Sequence, residues 1–230
     1  MAELIVALDV SSTNEVRAVL QRLPREVTFY KVGLELYSAE GPTVLSLLRD
    51  MGKRVFLDLK LHDIPRTVER AVAAAATHGV DLLTIHASGG RAMMAAAAAA
   101  AKSAPRGPRI LAVTVLTSMD SSDLVDLGIQ RSPEQQVEAL GRLAVASGVD
   151  GLVCSAKEVG VLRQTLGDGP LLVTPGIRPA STDVGDQKRV ATPAAAVKAG
   201  ASHLVVGRPI LDAADPGDAV RRILHEMASA

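Results

Sequence analysis

Residues 56 to 67 run Phe-Leu-Asp-Leu-Lys-Leu-His-Asp-Ile-Pro-Arg-Thr, so that Asp58, Lys60 and Asp63 crowd the end of an otherwise apolar segment. If Val55 to Leu61 is a strand, its period of two puts Val55, Leu57, Leu59 and Leu61 on one face and Phe56, Asp58 and Lys60 on the other. Two opposite charges then share a face just where the strand stops. Side by side they favour the charged form of each other, so Lys60 reads as a fixed cation rather than as a free-amine nucleophile for Schiff-base chemistry.

Outward from this segment, short β-type runs recur at Leu4–Leu8, Val27–Val32, Arg54–Leu59, Leu82–His86, Ile110–Val115, Gly151–Val153, Leu171–Val173 and His203–Val206. Longer helix-like segments separate them. Ser12-Thr13 opens Asn14–Leu23, Ser132-Pro133-Glu134 opens Gln135–Ser147, and Asp215-Pro216 opens Gly217–Met227. Gly52, Gly79, Gly148 and Gly200 stand where a helix would stop before the next strand. Strands alternating with helices call for a parallel sheet, and eight such units point to an α/β fold of the (β/α)8 TIM-barrel type. A doubly wound open sheet is the structural alternative. With no Pro/Gly/Ser-rich linker and no shift in composition, residues 1–230 are expected to form one domain. The one long connection, Thr174 to Val190, has the length and polarity of a functional lid.

At 230 residues and 48% apolar content the chain can bury one large core, although that length would also suit two smaller domains. A net charge of zero and 2% aromatic residues supply neither a basic field nor a stacking platform, which disfavours a general nucleic-acid binder. Cys154 is the only cysteine, and the N-terminus lacks a basic region followed by a full apolar stretch, so a cytoplasmic protein is expected. Ala92–Ala101 is an alanine-rich helix too short to cross a bilayer, which takes roughly 20 residues, and no membrane association is expected.

Polar residues mark the ends of several strand candidates: Asp9 after the first, Lys31 in the second, Asp58 and Lys60 in the third, His86 in the fourth, Thr117-Ser118 beyond the fifth. In a barrel these ends converge on one mouth, where active sites of this fold are built. Near the C-terminus Val206-Gly207-Arg208-Pro209-Ile210 runs from a strand into a glycine and an arginine. The first lets a ligand approach backbone N–H groups, and the second can fork onto phosphate oxygens. The long connection contributes Pro175-Gly176-Ile177-Arg178 at its start and Asp186-Gln187 near its end. Cys154 has the context of a packed strand end. His62, His86 and His203 lack metal-ligand spacing, and Gly89-Gly90 is not a dinucleotide fingerprint, so neither a zinc site nor a nucleotide cofactor is expected.

Asp58-Leu-Lys60-Leu-His-Asp63-Ile64-Pro65-Arg-Thr67 resembles the signature of the orotidine 5′-monophosphate decarboxylases. Ala7-Leu8-Asp9, Tyr30-Lys31-Val32-Gly33, Val115-Leu116-Thr117-Ser118, Pro175-Gly176-Ile177-Arg178, Asp186-Gln187 and Val206-Gly207-Arg208-Pro209-Ile210 extend the likeness to the bacterial branch over essentially the whole chain. The resemblance implies decarboxylation of orotidine 5′-monophosphate to UMP in de novo pyrimidine synthesis, without metal or cofactor. It implies Lys60 as proton donor to C6, Asp58 and Lys31 in the charged array around it, and Asp9 at the ribose hydroxyls. It further implies a homodimer in which Asp63 and Thr67 serve the partner's site, with Ile64 between them at a substrate-binding position. Thr117 and Ser118 fall at substrate-binding positions, Gln187, Gly207 and Arg208 at the phosphate, and Arg178 in the lid region.

The nearest rival resembles the magnesium-dependent sugar-phosphate decarboxylases and aldolases, 3-keto-L-gulonate 6-phosphate decarboxylase and hexulose-6-phosphate synthase, which share the Asp-x-Lys-x-x-Asp core. Their metal asks for a carboxylate at the end of the second strand, where this chain has Lys31. A non-catalytic phosphate-binding barrel is the alternative from another class; it would need the phosphate grip without the Asp58/Lys60/Asp63 set.

Overall fold

The computed structural model describes residues 2–179 and 191–230. The chain starts with β1 (Glu3–Ala7), α1 (Thr13–Arg22) and β2 (Phe29–Gly33), followed by α2 (Leu34–Glu40), α3 (Thr43–Asp50) and β3 (Arg54–Leu61). Next come α4 (Pro65–Thr77), β4 (Leu82–His86), α5 (Gly90–Ser103), β5 (Arg109–Val113), α6 (Ser121–Asp126), α7 (Pro133–Ala146) and β6 (Gly151–Val153). The last part holds α8 (Ala156–Leu166), β7 (Leu171–Thr174), α9 (Pro193–Lys198), β8 (His203–Val206), α10 (Arg208–Leu211) and α11 (Pro216–Ala228). Each strand pairs in parallel with the next, and β8 pairs with β1, which closes an eight-stranded (β/α)8 TIM barrel.

The apolar runs expected to be strands are buried on both faces, as parallel strands between a barrel interior and a coat of helices must be. Ile5, Ala7, Phe29, Phe56, Leu82, Leu111, Val173 and Val205 fill the interior. Their neighbours Val6, Tyr30, Val55, Leu57, Leu83, Ile110, Leu172 and Leu204 pack outward against the helices. Burial pushes the Tyr30 phenol up to about 12, and its hydroxyl donates to Val27 O at 3.1 Å.

The helices start where the sequence marks them. Ser132 and Gln135 form a capping box with Pro133 in the first turn, Ser12 accepts from Glu15 N–H, and Asp215 accepts from Asp218 N–H ahead of α11. Gly200 ends α9 with a φ of 103°, a conformation that other residues rarely adopt.

The strict alternation of one strand with one helix does not hold everywhere. Gly41-Pro42 splits the segment between β2 and β3 into two short helices, and α6 precedes α7 after β5. Strand bounds also shift: β2 starts at Phe29 rather than Val27, β5 stops at Val113 rather than Val115, and β3 reaches Leu61.

A repeated stitch closes the barrel's N-terminal rim. The residue just before an even-numbered strand accepts, through its side chain, the N–H of the second residue of the preceding odd strand. Asp81 Oδ2 takes Val55 N–H at 2.8 Å, Asp150 Oδ2 takes Ile110 N–H at 2.7 Å, and Ser202 Oγ takes Leu172 N–H at 2.8 Å. Backbone donors that the ladder leaves over are thereby satisfied.

Candidate active site

At the opposite rim, the C-terminal ends of the strands surround a hollow of about 240 Å³. Asp9, Lys31, Asp58, Lys60, Thr117, Arg178, Gly207 and Arg208 all line it, with Phe56 and Val205 as its floor. Six strands and the loops after them therefore supply one mouth, as the convergence of polar strand ends predicted.

Four charges stand in an alternating row. Lys31 Nζ donates to Asp9 Oδ1 at 3.0 Å and lies 4.0 Å from Asp58 Oδ2, while Lys60 Nζ donates to the same Asp58 Oδ2 at 2.8 Å. Lys31 and Asp58 side chains are only 13% and 14% exposed, Lys60 28%, and Asp9 at the outer end 50%. Charges this far from water are kept by partners, and here each has an opposite neighbour. The row sums to zero, but its polarity is fixed: a carboxylate sits between two ammonium groups in the deepest part.

The backbone that carries Lys60 is irregular. Pairing of β3 with β4 shifts register between Leu57 and Leu61, and Lys60, alone among the described non-glycine residues, has a positive φ, 52°. Its N–H leaves the ladder and donates to Thr84 Oγ1 at 2.9 Å; that hydroxyl donates to Asp58 Oδ1, also at 2.9 Å. Phe56, Asp58 and Lys60 nevertheless all reach the mouth, the face that alternation assigns them.

Thr84 is absent from the candidates that the sequence offered. A threonine inside Leu82-Leu83-Thr84-Ile85-His86 looks like ordinary β-strand filling. Its signal was parity: two residues after Leu82, which faces the interior, it must face the interior too.

Close approach explains one glycine. A Cβ on Gly207 would stand 2.8 Å from Asp9 Oδ2, so a side chain there would push aside the carboxylate at the outer end of the row. Arg208 follows at once, opening α10, and faces the same hollow.

Other candidates lie elsewhere. Ser118 borders a separate depression with Met119, Asp123 and Leu127, away from the mouth. Asp63, Ile64 and Thr67 follow β3 at the rim; all three are exposed, and none lines this chain's own hollow. Asp63 Oδ1 accepts Ile64 N–H at 2.6 Å. Gln187, Asp186 and the interior of the expected lid lie outside the described residues. His86 ends β4 with its ring 5.4 Å from that of His62; burial first, then His62 and Lys60, push its pKa down, with Asp58 opposing. Cys154 is fully buried at the end of β6. Among the described residues no three His, Cys, Asp or Glu side chains gather as a metal site would need, and the Lys31 ammonium stands beside the two carboxylates that could have begun one. No helix among them is long and apolar enough to cross a membrane.

A family model described as Orotidine 5′-phosphate decarboxylase / HUMPS family matches residues 2–223. The chain belongs to this family. It is 49% identical over 225 residues to orotidine 5′-phosphate decarboxylase of Chromohalobacter salexigens, covering 98% of this chain and 95% of that one. The same enzyme of Rhodopseudomonas palustris is 51% identical over 227 residues, with 99% and 95% covered. The crystal structure of orotidine 5′-phosphate decarboxylase from Lactobacillus acidophilus superposes with a TM-score of 0.87 at 38% identity, covering 99% of both chains. Membership of the decarboxylase family, which the motifs implied, and the barrel fold, which the alternation of strands and helices implied, are borne out.

Proposed function

We propose that this chain decarboxylates orotidine 5′-monophosphate to UMP and CO2, a carboxy-lyase step of de novo pyrimidine synthesis, with Lys60 as the proton donor to C6. The observation that carries the chemistry is the row Asp9–Lys31–Asp58–Lys60 in a sheltered mouth. Loss of CO2 from C6 leaves an sp² carbanion that the ring cannot readily delocalise. An ammonium held in place before the bond breaks stabilises that charge without reorganising water, and then supplies the proton that ends the reaction. Asp58, hydrogen-bonded to the ammonium, orients it; Lys31 shares Asp58 and holds Asp9 toward the ribose.

The phosphate belongs with Gly207 and Arg208, Gln187 completing the grip and Arg178 closing from the start of the long connection. Thr117 falls to the pyrimidine side, whereas Ser118 borders the neighbouring depression. Binding energy gained at the phosphate, remote from the breaking bond, can hold the charged row closed on C6.

Asp63, Ile64 and Thr67 serve a second copy of the chain. In support, they project from the rim into solvent, with Ile64 67% exposed and Leu34 nearby in sequence to the β2 end 56% exposed, while this chain's own mouth makes no use of them. One domain would thus hold each complete half-site, and two copies would complete two sites.

The magnesium-dependent reading finds no support in the donor set, because the Lys31 cation occupies the neighbourhood that a divalent ion would need. A continuous absorbance assay with orotidine 5′-monophosphate tests the reaction, and equal rates with and without EDTA are expected. Activity lost to the chelator would favour the metal-dependent branch; UMP binding without turnover would favour a sensor. Subunit sharing has its own test. Lys60→Ala and Asp63→Ala proteins, each inactive alone, should recover about one quarter of native activity after mixing and subunit exchange, since half the dimers are then mixed and each has one intact site. No recovery despite proven exchange would assign Asp63 to its own chain.

A further inference from the structure

Resting on the decarboxylase reading, we propose that Thr84 is a positioning residue, whose single hydroxyl tethers the Lys60 backbone to the Asp58 carboxylate. Its side chain is fully buried and does not line the mouth, so it acts through its neighbours and not on substrate.

Three observations converge on this. The β3–β4 ladder is interrupted between Leu57 and Leu61, which frees the Lys60 N–H from a backbone acceptor. Lys60 at that point takes a left-handed φ of 52°, a conformation that persists in a non-glycine residue only where its surroundings hold it. The Thr84 hydroxyl accepts the freed N–H and donates its own proton to Asp58 Oδ1, both at 2.9 Å. A hydroxyl has one proton to give. Having accepted from Lys60, it must donate toward Asp58, so the direction of both bonds is set. Asp58 is then held from the side through Oδ1, which leaves Oδ2 for the Lys60 ammonium at 2.8 Å and for Lys31 at 4.0 Å. One side chain on β4 thereby fixes both ends of the Asp58–Lys60 pair.

Valine has nearly the shape of threonine and the same liking for strands, but no hydroxyl. In Thr84→Val the part-buried Lys60 N–H and Asp58 Oδ1 each lose a partner, and the ammonium loses its fixed place over C6. Because misplacing a reacting group by about 1 Å can cost 10²-fold, kcat should fall roughly 10- to 100-fold. Substrate KM and UMP affinity, which depend on the phosphate grip across the mouth, should stay within about 3-fold. Thr84→Ser keeps the hydroxyl and should restore most of kcat. A Thr84→Val enzyme with kcat within about 2-fold of native, or a loss that serine does not rescue, would overturn the proposal.

Crystal structures of the native protein and Thr84→Val supply a readout that needs no turnover. The Lys60 φ should relax to a negative value, or Nζ should leave Asp58 Oδ2; an unchanged Lys60 would overturn the tether. If native protein fails to convert orotidine 5′-monophosphate, the decarboxylase reading falls, and this structural comparison still decides the tether. Should the valine variant not fold, Thr84→Ala removes the same hydroxyl and takes its place in both measurements.

Discussion

The two rims of the barrel use charge in opposite ways. At the N-terminal rim a hollow of about 660 Å³ is lined by Arg49, Lys53, Arg54, Arg106 and Arg109, with Asp81; the C-terminal hollow is about 240 Å³. By volume and by number of cations the first looks like the better site. Its ion pairs, however, are wet: Arg54 meets Glu3 at 2.6 Å with the side chains 43% and 49% exposed, and it stacks on Phe29 with its guanidinium 4.0 Å from the ring centre. At the other rim the central pair, Lys31 and Asp58, keeps about one seventh of its side-chain surface in water. On the proposed mechanism, desolvation and mutual pinning suit the C-terminal row to catalysis, and abundance of cations does not. Where the N-terminal rim half-buries polar groups, as at Asp81, Asp150 and Ser202, they serve backbone N–H donors and hold strands together.

Substitutions should separate these roles, and the largest effect belongs to the C-terminal rim. Lys60→Ala should lower kcat by roughly 10⁴-fold or more, since on the proposed mechanism it removes both the proton donor and the electrostatic stabilisation, while UMP still binds. Single-turnover kinetics and product titration would measure the two halves. A near-native rate would end the assigned mechanism and erase the contrast between the rims.

Asp150→Ala makes the converse case. It should reduce folding stability by about 1–3 kcal/mol, the cost of a buried N–H left unpaired at Ile110, and leave kcat of the folded protein within about 2-fold. Urea unfolding followed by assay would check both. A large loss of kcat at unchanged stability would mean that the two rims are coupled.

The smallest effect is on pH dependence, and each rim holds one histidine that contributes. Burial is the main cause that pushes His203 down at the N-terminal rim; Arg54 and Arg109 add to it and Glu3 opposes. His86 at the other rim is lowered mainly by burial as well. The unfolded chain takes up these protons near the ordinary value of 6.5 while the folded chain does not, so stability is full above that pH and declines as the pH falls below it. The urea midpoint should therefore drop between about pH 7.5 and 5.5, and His203→Gln should flatten the decline more than a substitution at the half-buried His86. An unchanged slope in His203→Gln would show that folding leaves this ring's proton affinity as it is in the unfolded chain.

What the sequence disclosed depended on how directly periodicity reports burial. All eight strands were visible because parallel strands buried on both faces read as continuous apolar runs, and Asp58 and Lys60 shared a predicted face because alternation survives through the end of β3. The pair α2 and α3 was not resolved, since Gly41-Pro42 breaks one segment into helices of 7 and 8 residues, too short for a clear 3.6-residue period. Thr84 and the φ of Lys60 stayed hidden for a different reason: one is a hydroxyl with the strand propensity of any threonine, the other a backbone angle that exists only once β3 and β4 fall out of register. The stitching residues Asp81, Asp150 and Ser202 looked like loop polarity, because their partners are backbone groups 26 to 40 residues away.

Gly207 against Asp9 has a consequence for how the protein comes into being. The four charges of the row are all synthesised within the first 60 residues, whereas the glycine that lies beside the outermost of them is made near the end, just after the strand that closes the ring against β1. A nascent chain can therefore carry every ionisable group of the row and still lack a mouth to hold it. Activity should appear on the ribosome only after β8 has emerged and zipped onto β1, so the seam of the barrel also times the onset of catalysis.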